Sequence, residues 1–393
     1  MSEVRVNNLT NENNTGGPTI SGITTYSGRH FFVPPQGTTA ERPEDCEPGS
    51  LRFNTDTAHL EYFRGNTIGW TEIEASSPEL GGGTSSSNEN ALGARAIAGG
   101  GFLGVRTIEF VTVSTTGDSQ DFGDLTEAGG IHGRQIPATE TRMLFSGGYI
   151  NNAIEFITVA STGDSIDFGD MSFRRYAHTG VNDTIRGILG GGASTTPFVP
   201  SHGAETNMIE YVTIAQQGNA VDFGDLVLAK SPAASVNNTT RGIIQRSNTP
   251  LGPVGVMDTI IMRSTGNATD FGDVQESPQD DNLSGGICNA TRGIFSGGFM
   301  HNVIQYITMA TEGNTIDFGD MLQVSSTTRG ASSKTRGLIV GGHFPSGGGY
   351  PYLNVIQSVQ IATTGNSVDF GDMAYAGGDV SQISCNSNAH GGI

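Results

Sequence analysis

The sequence predicts an all-β protein assembled mostly from one repeated four-stranded unit. The first observation is compositional. Glycine supplies 58 of 393 residues, about twice its usual share, while hydrophobic residues are 35% and charged residues 15%. That balance suits many short strands joined by tight turns better than apolar helix faces. The second observation is a repeat. The tetrapeptide DFGD occurs six times, with its phenylalanine at Phe122, Phe168, Phe223, Phe271, Phe318 and Phe370. Successive copies lie 46, 55, 48, 47 and 52 residues apart. The third is what precedes each copy: a run such as IEFITVASTGDSI from Ile154 or IQYITMATEGNTI from Ile304. Further upstream stands an Arg-Gly strand ending in a double glycine, as in RGIFSGG from Arg292.

Each element of the unit has a physical reason. In the run from Ile209, both alternating faces carry apolar side chains, which fits a strand covered on both sides. The following STGN or TTGN is a turn in which glycine takes positive φ. A short strand ends in DFGD, and a further strand precedes the turn before the next Arg-Gly, as in GGICNATRG from Gly285. Four strands in about 50 residues is the period of a propeller blade. The C-terminal CNSNAHGGI resembles CNATRGI around Cys288 and then stops, while GARAIAGGG from Gly93 restarts at nearly the same phase. Residues 93–393 are therefore expected to form a six-bladed β-propeller closed by the C-terminal strand, which removes a free sheet edge.

The N-terminal quarter differs. Residues 1–37 read as an extended docking arm, polar and then apolar at Phe31, Phe32 and Val33. Residues 38–75 read as a small β meander, with Leu51, Phe53, Leu60, Tyr62 and Trp70 on strands and turns at NTDT and RGNT. About 35 residues bury little core, so this module is expected to pack on a partner, the ring or a symmetry mate. Residues 76–92, SSPELGGGTSSSNENAL, have linker composition.

Composition also excludes functions. Twenty Lys and Arg against 39 Asp and Glu give a net charge of −19, which disfavours nucleic acid as a partner. No apolar run approaches the roughly 20 residues that span a bilayer, and the first residues lack the apolar stretch of a secretory signal. Cys46, Cys288 and Cys385 are widely separated and are expected to be free, buried thiols. No histidine pair has metal-ligand spacing.

The acidic motif deserves two readings. Asp118, Asp121 and Asp124, like Asp164, Asp167 and Asp170, could hold calcium. The later copies replace the first aspartate by Asn219, Asn267, Asn314 and Asn366, and strand alternation would divide the carboxylates between two faces. The favoured reading is structural: phenylalanine packs between blades, glycine permits a bend, and the aspartates accept backbone or arginine hydrogen bonds, with Arg186 or an equivalent arginine a partner for Asp167 and Asp170. No metal and no cofactor is expected. The loops after the double glycine are long in the third blade, Ala193–Asn207, and in the sixth, His343–Val355. Phe198, His202, His343, Phe344, Tyr350 and Tyr352 on them are the candidate binding residues, because aromatic faces suit sugar rings or a protein partner.

Two resemblances follow from these residues. The Arg-Gly strand with its double glycine, as at Arg292, Gly293, Gly297 and Gly298, resembles the kelch repeat, although the repeat tryptophan is missing and Trp70 lies outside the ring. The DFGD-ended repeats are similar to those of virion structural proteins of marine and cyanobacterial phages, and AERP…GSLRFNTDT…LEYF…W resembles a module near the N-termini of phage tail-fibre proteins. The resemblance implies a non-enzymatic virion protein, tail-fibre or tail-associated, located on the particle as a homo-oligomer. Its N-terminal region would dock on other virion proteins through Phe31, Phe32, Arg52, Phe53, Tyr62 and Trp70, and the kelch-like propeller would meet a host-surface glycan or protein. The alternatives are a head-decoration or adaptor protein and, from another class, a carbohydrate-active enzyme with its site over the central channel.

Overall fold

The computed structural model describes residues 34–43, 46–57, 59–73, 94–101, 105–126, 135–148, 151–194, 205–229, 231–246, 255–275, 284–298, 301–344, 352–374 and 383–392. The chain divides into two units, Met1–Gly81 and Gly82–Ile393. Both are built from β-strands with only short 3-10 turns between them among the described residues. Arm residues Phe31 and Phe32 and the linker from residue 76 to 92 lie outside the described residues.

The small unit is one sheet of four strands, β1 (Gln36–Gly37), β2 (Leu51–Asn54), β3 (His59–Phe63) and β4 (Trp70–Glu72), in that order. Strands β2 to β4 form the expected antiparallel meander. The end of the arm differs from expectation: Gln36 and Gly37 join the sheet, parallel to β2, because Phe53 N–H donates to Pro35 O and Thr55 N–H to Gly37 O.

In the large unit every DFGD copy ends a sheet. The third is typical: Thr179–Asn182, Arg186–Gly190, Met208–Thr213 and Val221–Asp225 lie side by side, each antiparallel to the next. The second has three full strands and a single bridge, Ala138 to Met143, in place of the fourth. In the first sheet the C-terminal strand Ser384–Ser387 pairs antiparallel with Arg95–Gly99, so the two ends of the unit share one sheet.

Each DFGD strand carries a bulge at its phenylalanine, as between Asp167 and Gly169. The extra residue turns the ring inward, and all six phenylalanines are 2–3% exposed. The outcome corrects strict alternation: the two aspartates of a copy are not divided between a buried and an open side, as Asp167 and Asp170 show, and eleven of the twelve motif aspartates are exposed, Asp225 alone being half-buried.

The motif glycine explains the repeat. Gly123, Gly169, Gly224, Gly272, Gly319 and Gly371 have φ between +142° and +156°. A Cβ on each would fall on the backbone of a turn glycine in the next sheet: Gly163, Gly218, Gly266, Gly313, Gly365 and, from the sixth back to the first, Gly117. The same turn glycines donate N–H to the motif phenylalanine carbonyls at 2.7–2.9 Å, from Gly163 to Phe122 through to Gly117 to Phe370. The series of contacts therefore returns to its start.

The upstream Asp or Asn completes that contact. Asp164 Oδ1 accepts the Asp124 N–H at 3.0 Å, and Asn219 Oδ1 accepts that of Asp170 at 3.0 Å. Asp118 receives Asp372 N–H in the same way. One acceptor oxygen is all the position uses, which is why Asp and Asn interchange there. Arg186 is not the partner of Asp167 and Asp170: it lies over the Tyr211 ring, 4.8 Å from its centroid, and donates to Met262 O at 3.2 Å.

The first strands of the third to sixth sheets and the C-terminal strand pack each against the next. Cβ atoms on Gly286 and Gly330 would overlap the Ser235 and Gly286 backbones, so these strands approach as closely as glycine allows. Asn182 receives Ala138 N–H on its Oδ1 and donates to Ala138 O. The C-terminal turn His390–Gly392 seals the same region. His390 is 1% exposed, its Nδ1 lies 2.6 Å from Ser387 O and its Nε2 2.9 Å from Asn182 Oδ1. Cys288 and Cys385 are free and buried as expected, and burial pushes their thiols up to about 11 and about 12. Cys46 is free but only half-buried, against the expectation.

Candidate functional site

Among the described residues two of the six sheets carry an extra element, and they stand three steps apart in the series. In the third, Arg175–Tyr176 pairs with Ala193–Ser194, and Ala193 bridges Glu205. In the sixth, Ser326 bridges His343, and His343 bridges Tyr352. Both are small lips built where the strand-to-sheet connection meets the long loop after the double glycine. Each contains the only non-glycine positive φ values among the described residues, Ala177 at 54° and Thr327 at 55°. A β-branched threonine in that region is strained, and such strain persists only where surroundings impose it.

At Thr327 a buried arginine imposes it. Arg329, 2% exposed, donates from Nε to Ile383 O at 2.7 Å and from Nη1 to Thr328 O and Thr327 O at 2.8 and 3.0 Å. Its planar fork pins both carbonyls of the strained turn. In the third sheet Arg175, fully buried, pairs with Glu210 at 2.8 Å and also donates to Leu189 O and Met208 O. Neither arginine was marked out by sequence reasoning. Their only signal is an arginine in a connection, RRYA or TTRG, that otherwise reads as loop.

On the sixth-sheet lip, His343 Nδ1 lies 2.9 Å from Thr327 Oγ1 and Nε2 3.2 Å from Ser326 Oγ. Burial first, and Arg329 second, hold the imidazole below its ordinary pKa, so it is a neutral ring near pH 7. Phe344 is 39% and Tyr352 44% exposed beside it. The structure thus brings His343, Phe344 and Tyr352 together. Phe198, His202 and Tyr350 lie outside the described residues. The arrangement offers two aromatic faces and a neutral, hydrogen-bonding ring on a rigid base, which is recognition chemistry.

The expected docking residues of the small unit divide between two faces. Arg52 and Trp70 share one face with Asn54, Glu61 and Phe63. There Glu61, fully buried, receives Arg42 through Nε and Nη2 at 3.1 and 2.6 Å, and Arg52 lies 3.3 Å away. Despite the burial, these cations and Asn54 hold the Glu61 carboxyl below its usual range. Residues 38–43 cover this polar face: Arg52 donates to Thr38 O and the Trp70 indole N–H to Pro43 O. Phe53 and Tyr62 sit on the opposite face with Leu51, Leu60 and Ile73, which are 44%, 38% and 39% exposed. The sheet buries its polar side and opens its apolar side.

No protein-family model matches the chain, and no curated protein matches it.

Proposed function

We propose that the chain is a non-enzymatic phage virion structural protein, tail-fibre or tail-associated, that docks by its N-terminal region and presents a six-bladed, kelch-like propeller to the host surface. The cyclic contacts of the DFGD glycines and the sharing of one sheet by the two ends of the large unit support the propeller reading. In such a ring the third and sixth blades face each other. The observation that carries the function is the sixth-sheet lip, where Phe344 and Tyr352 stand exposed beside His343 on a strained, arginine-pinned turn. Aromatic faces with one hydrogen-bonding partner suit a saccharide ring.

The test has two parts. Immunogold microscopy of virions with an antibody against residues 93–393 is expected to label tails or fibre tips. Gold spread over heads would make the protein a decoration or adaptor protein instead. A glycan array probed with the full chain is expected to give binding that Tyr352→Ala and Phe344→Ala each weaken about tenfold, the loss of one good stacking contact. Binding untouched by both substitutions removes the lip from the proposal, and release of a shortened glycan would make the protein an enzyme.

A further inference from the structure

The small sheet is finished on the wrong side. Its polar face is closed by the chain's own residues 38–43, whereas Leu51, Phe53, Leu60, Tyr62 and Ile73 form a contiguous apolar face with no cover among the described residues. The opposite arrangement would follow from burial alone. Arg42, Arg52 and Glu61 hold the present one, because this buried group cannot be turned to solvent without undoing the charge-assisted hydrogen bonds from Arg42 to Glu61 and the ion pair with Arg52.

The size of the face limits what covers it. Its side chains are already half covered by one another, so the open apolar area is on the order of 300 Å². A stable dimer interface buries about 800 Å² on each side. A second copy of the same face is therefore too little by itself, while a short apolar segment fits. The chain supplies one: Phe31-Phe32-Val33 is the longest unbroken run of hydrophobic side chains in the first 90 residues, and it ends just before Pro34-Pro35 and β1.

Those prolines decide whose face the segment reaches. Pro35 O is already in the sheet, accepting Phe53 N–H, with β1 parallel to β2. Followed backwards, the chain leaves the sheet in line with its strands, past the start of β2. A residue before proline is confined to extended backbone, which applies to Pro34 and, by sequence, to Val33. Folding onto its own face would demand a reversal within that stiff stretch. We infer that Phe31–Val33 of one copy covers the Leu51, Phe53, Leu60, Tyr62 and Ile73 face of a second copy, an exchange of arms that builds the homo-oligomer. The inference concerns the chain alone and stands whether or not the virion reading does.

The test places the photo-crosslinking residue benzoylphenylalanine at Phe32 in the otherwise native full chain. After irradiation, the expected product on a denaturing gel has twice the 41.0 kDa chain mass, with the link mapped to the peptide spanning Leu51–Ile73. Leu60→Asp in the same chain is expected to lower that yield at least tenfold while the sheet's polar face, and hence its folding, is untouched. Light scattering should show the unmodified chain as an oligomer and Phe31→Asp/Phe32→Asp as a monomer. A link within one chain overturns the exchange. A link to a different protein, a link elsewhere on the second copy, or no link at all overturns the face as its target.

Discussion

The two units solve the same problem, what to do with the apolar side of a sheet, in opposite ways. In the large unit every sheet has a neighbour, so both faces of its middle strands are buried and the acidic pairs of DFGD are pushed to the outermost strands. Charges there also keep open edges from pairing with other chains. Among the described residues the small unit has one cover, residues 38–43, and it lies over Glu61 and its arginines. Among those same residues nothing covers its apolar face. The repeat is self-sufficient, whereas the small sheet is complete only with a partner segment, and assembly is expected to depend on it.

The comparison breaks most visibly at the motif glycines. Gly371→Ala puts a methyl group into the Gly117 carbonyl, while Gly117→Ala, at nearly the same φ, meets nothing within 4 Å. The first is expected to cost more than about 4 kcal/mol, and the second about 1–3 kcal/mol of backbone strain. Urea midpoints separate them. Equal losses would mean that local strain rather than the sheet-to-sheet lock fixes the motif. Phe318→Ala is next, at about 3–5 kcal/mol for a buried ring. Phe53→Ala in the small unit should cost the isolated chain far less and appear instead as weakened assembly.

The junction of the two ends of the large unit has its own probe in pH. Burial pushes the His390 imidazole down to about 4 from an ordinary 6.5, against the pull of Ser387 O. The folded state holds the neutral ring, so the unfolded chain takes up the proton first. The contribution is whole above about pH 6.5 and is lost as pH falls towards 4, roughly 3 kcal/mol in all. Carboxylates titrate in the same window, so the comparison is with His390→Asn. The native chain should lose more stability than the variant between pH 7 and pH 4. Parallel losses would show that His390 does not carry the dependence.

What the sequence made legible was whatever recurs at short range. Six phenylalanines at near-regular spacing announced six repeated sheets, each with one of those rings buried, and two long loops announced the third and sixth sheets. What it hid depends on contacts far along the chain. The reason for glycine in DFGD is a carbonyl 40 to 250 residues away, as from Gly123 to Gly163 or Gly371 to Gly117. The strained turns were invisible because nothing in Ala177 or Thr327 marks a positive φ. In the small sheet the sequence placed Leu51, Phe53, Leu60, Tyr62 and Trp70 on strands, but Trp70 stands on the face of Arg52 and Glu61, apart from the other four. The sequence could not tell which face lies inside, since Arg42 decides that from 19 residues before Glu61.

The finest test lies within the repeat itself, where the fourth sheet departs from its neighbours. In the first, second, third and fifth sheets the Arg that opens the second strand lies 4.4–4.8 Å over an aromatic ring on the third, from Arg95 on Phe110 to Arg292 on Tyr306. The fourth has Thr259 at that place. Arg241 settles instead 5.7 Å from Phe271, and its buried Nη1 has no hydrogen-bond partner. Thr259→Tyr restores the stack and an edge contact to Phe271 like that of Tyr211 with Phe223. Against this, the hydrogen bond from Thr259 Oγ1 to Gly242 O is lost. A cation–π contact of about 0.5–2 kcal/mol against a neutral hydrogen bond of about 1 kcal/mol leaves a net gain of no more than about 1 kcal/mol. Thermal unfolding resolves a change of that size. A loss of more than about 1 kcal/mol would mean that the fourth sheet has closed around its threonine, and that the repeat is less interchangeable than its glycines make it.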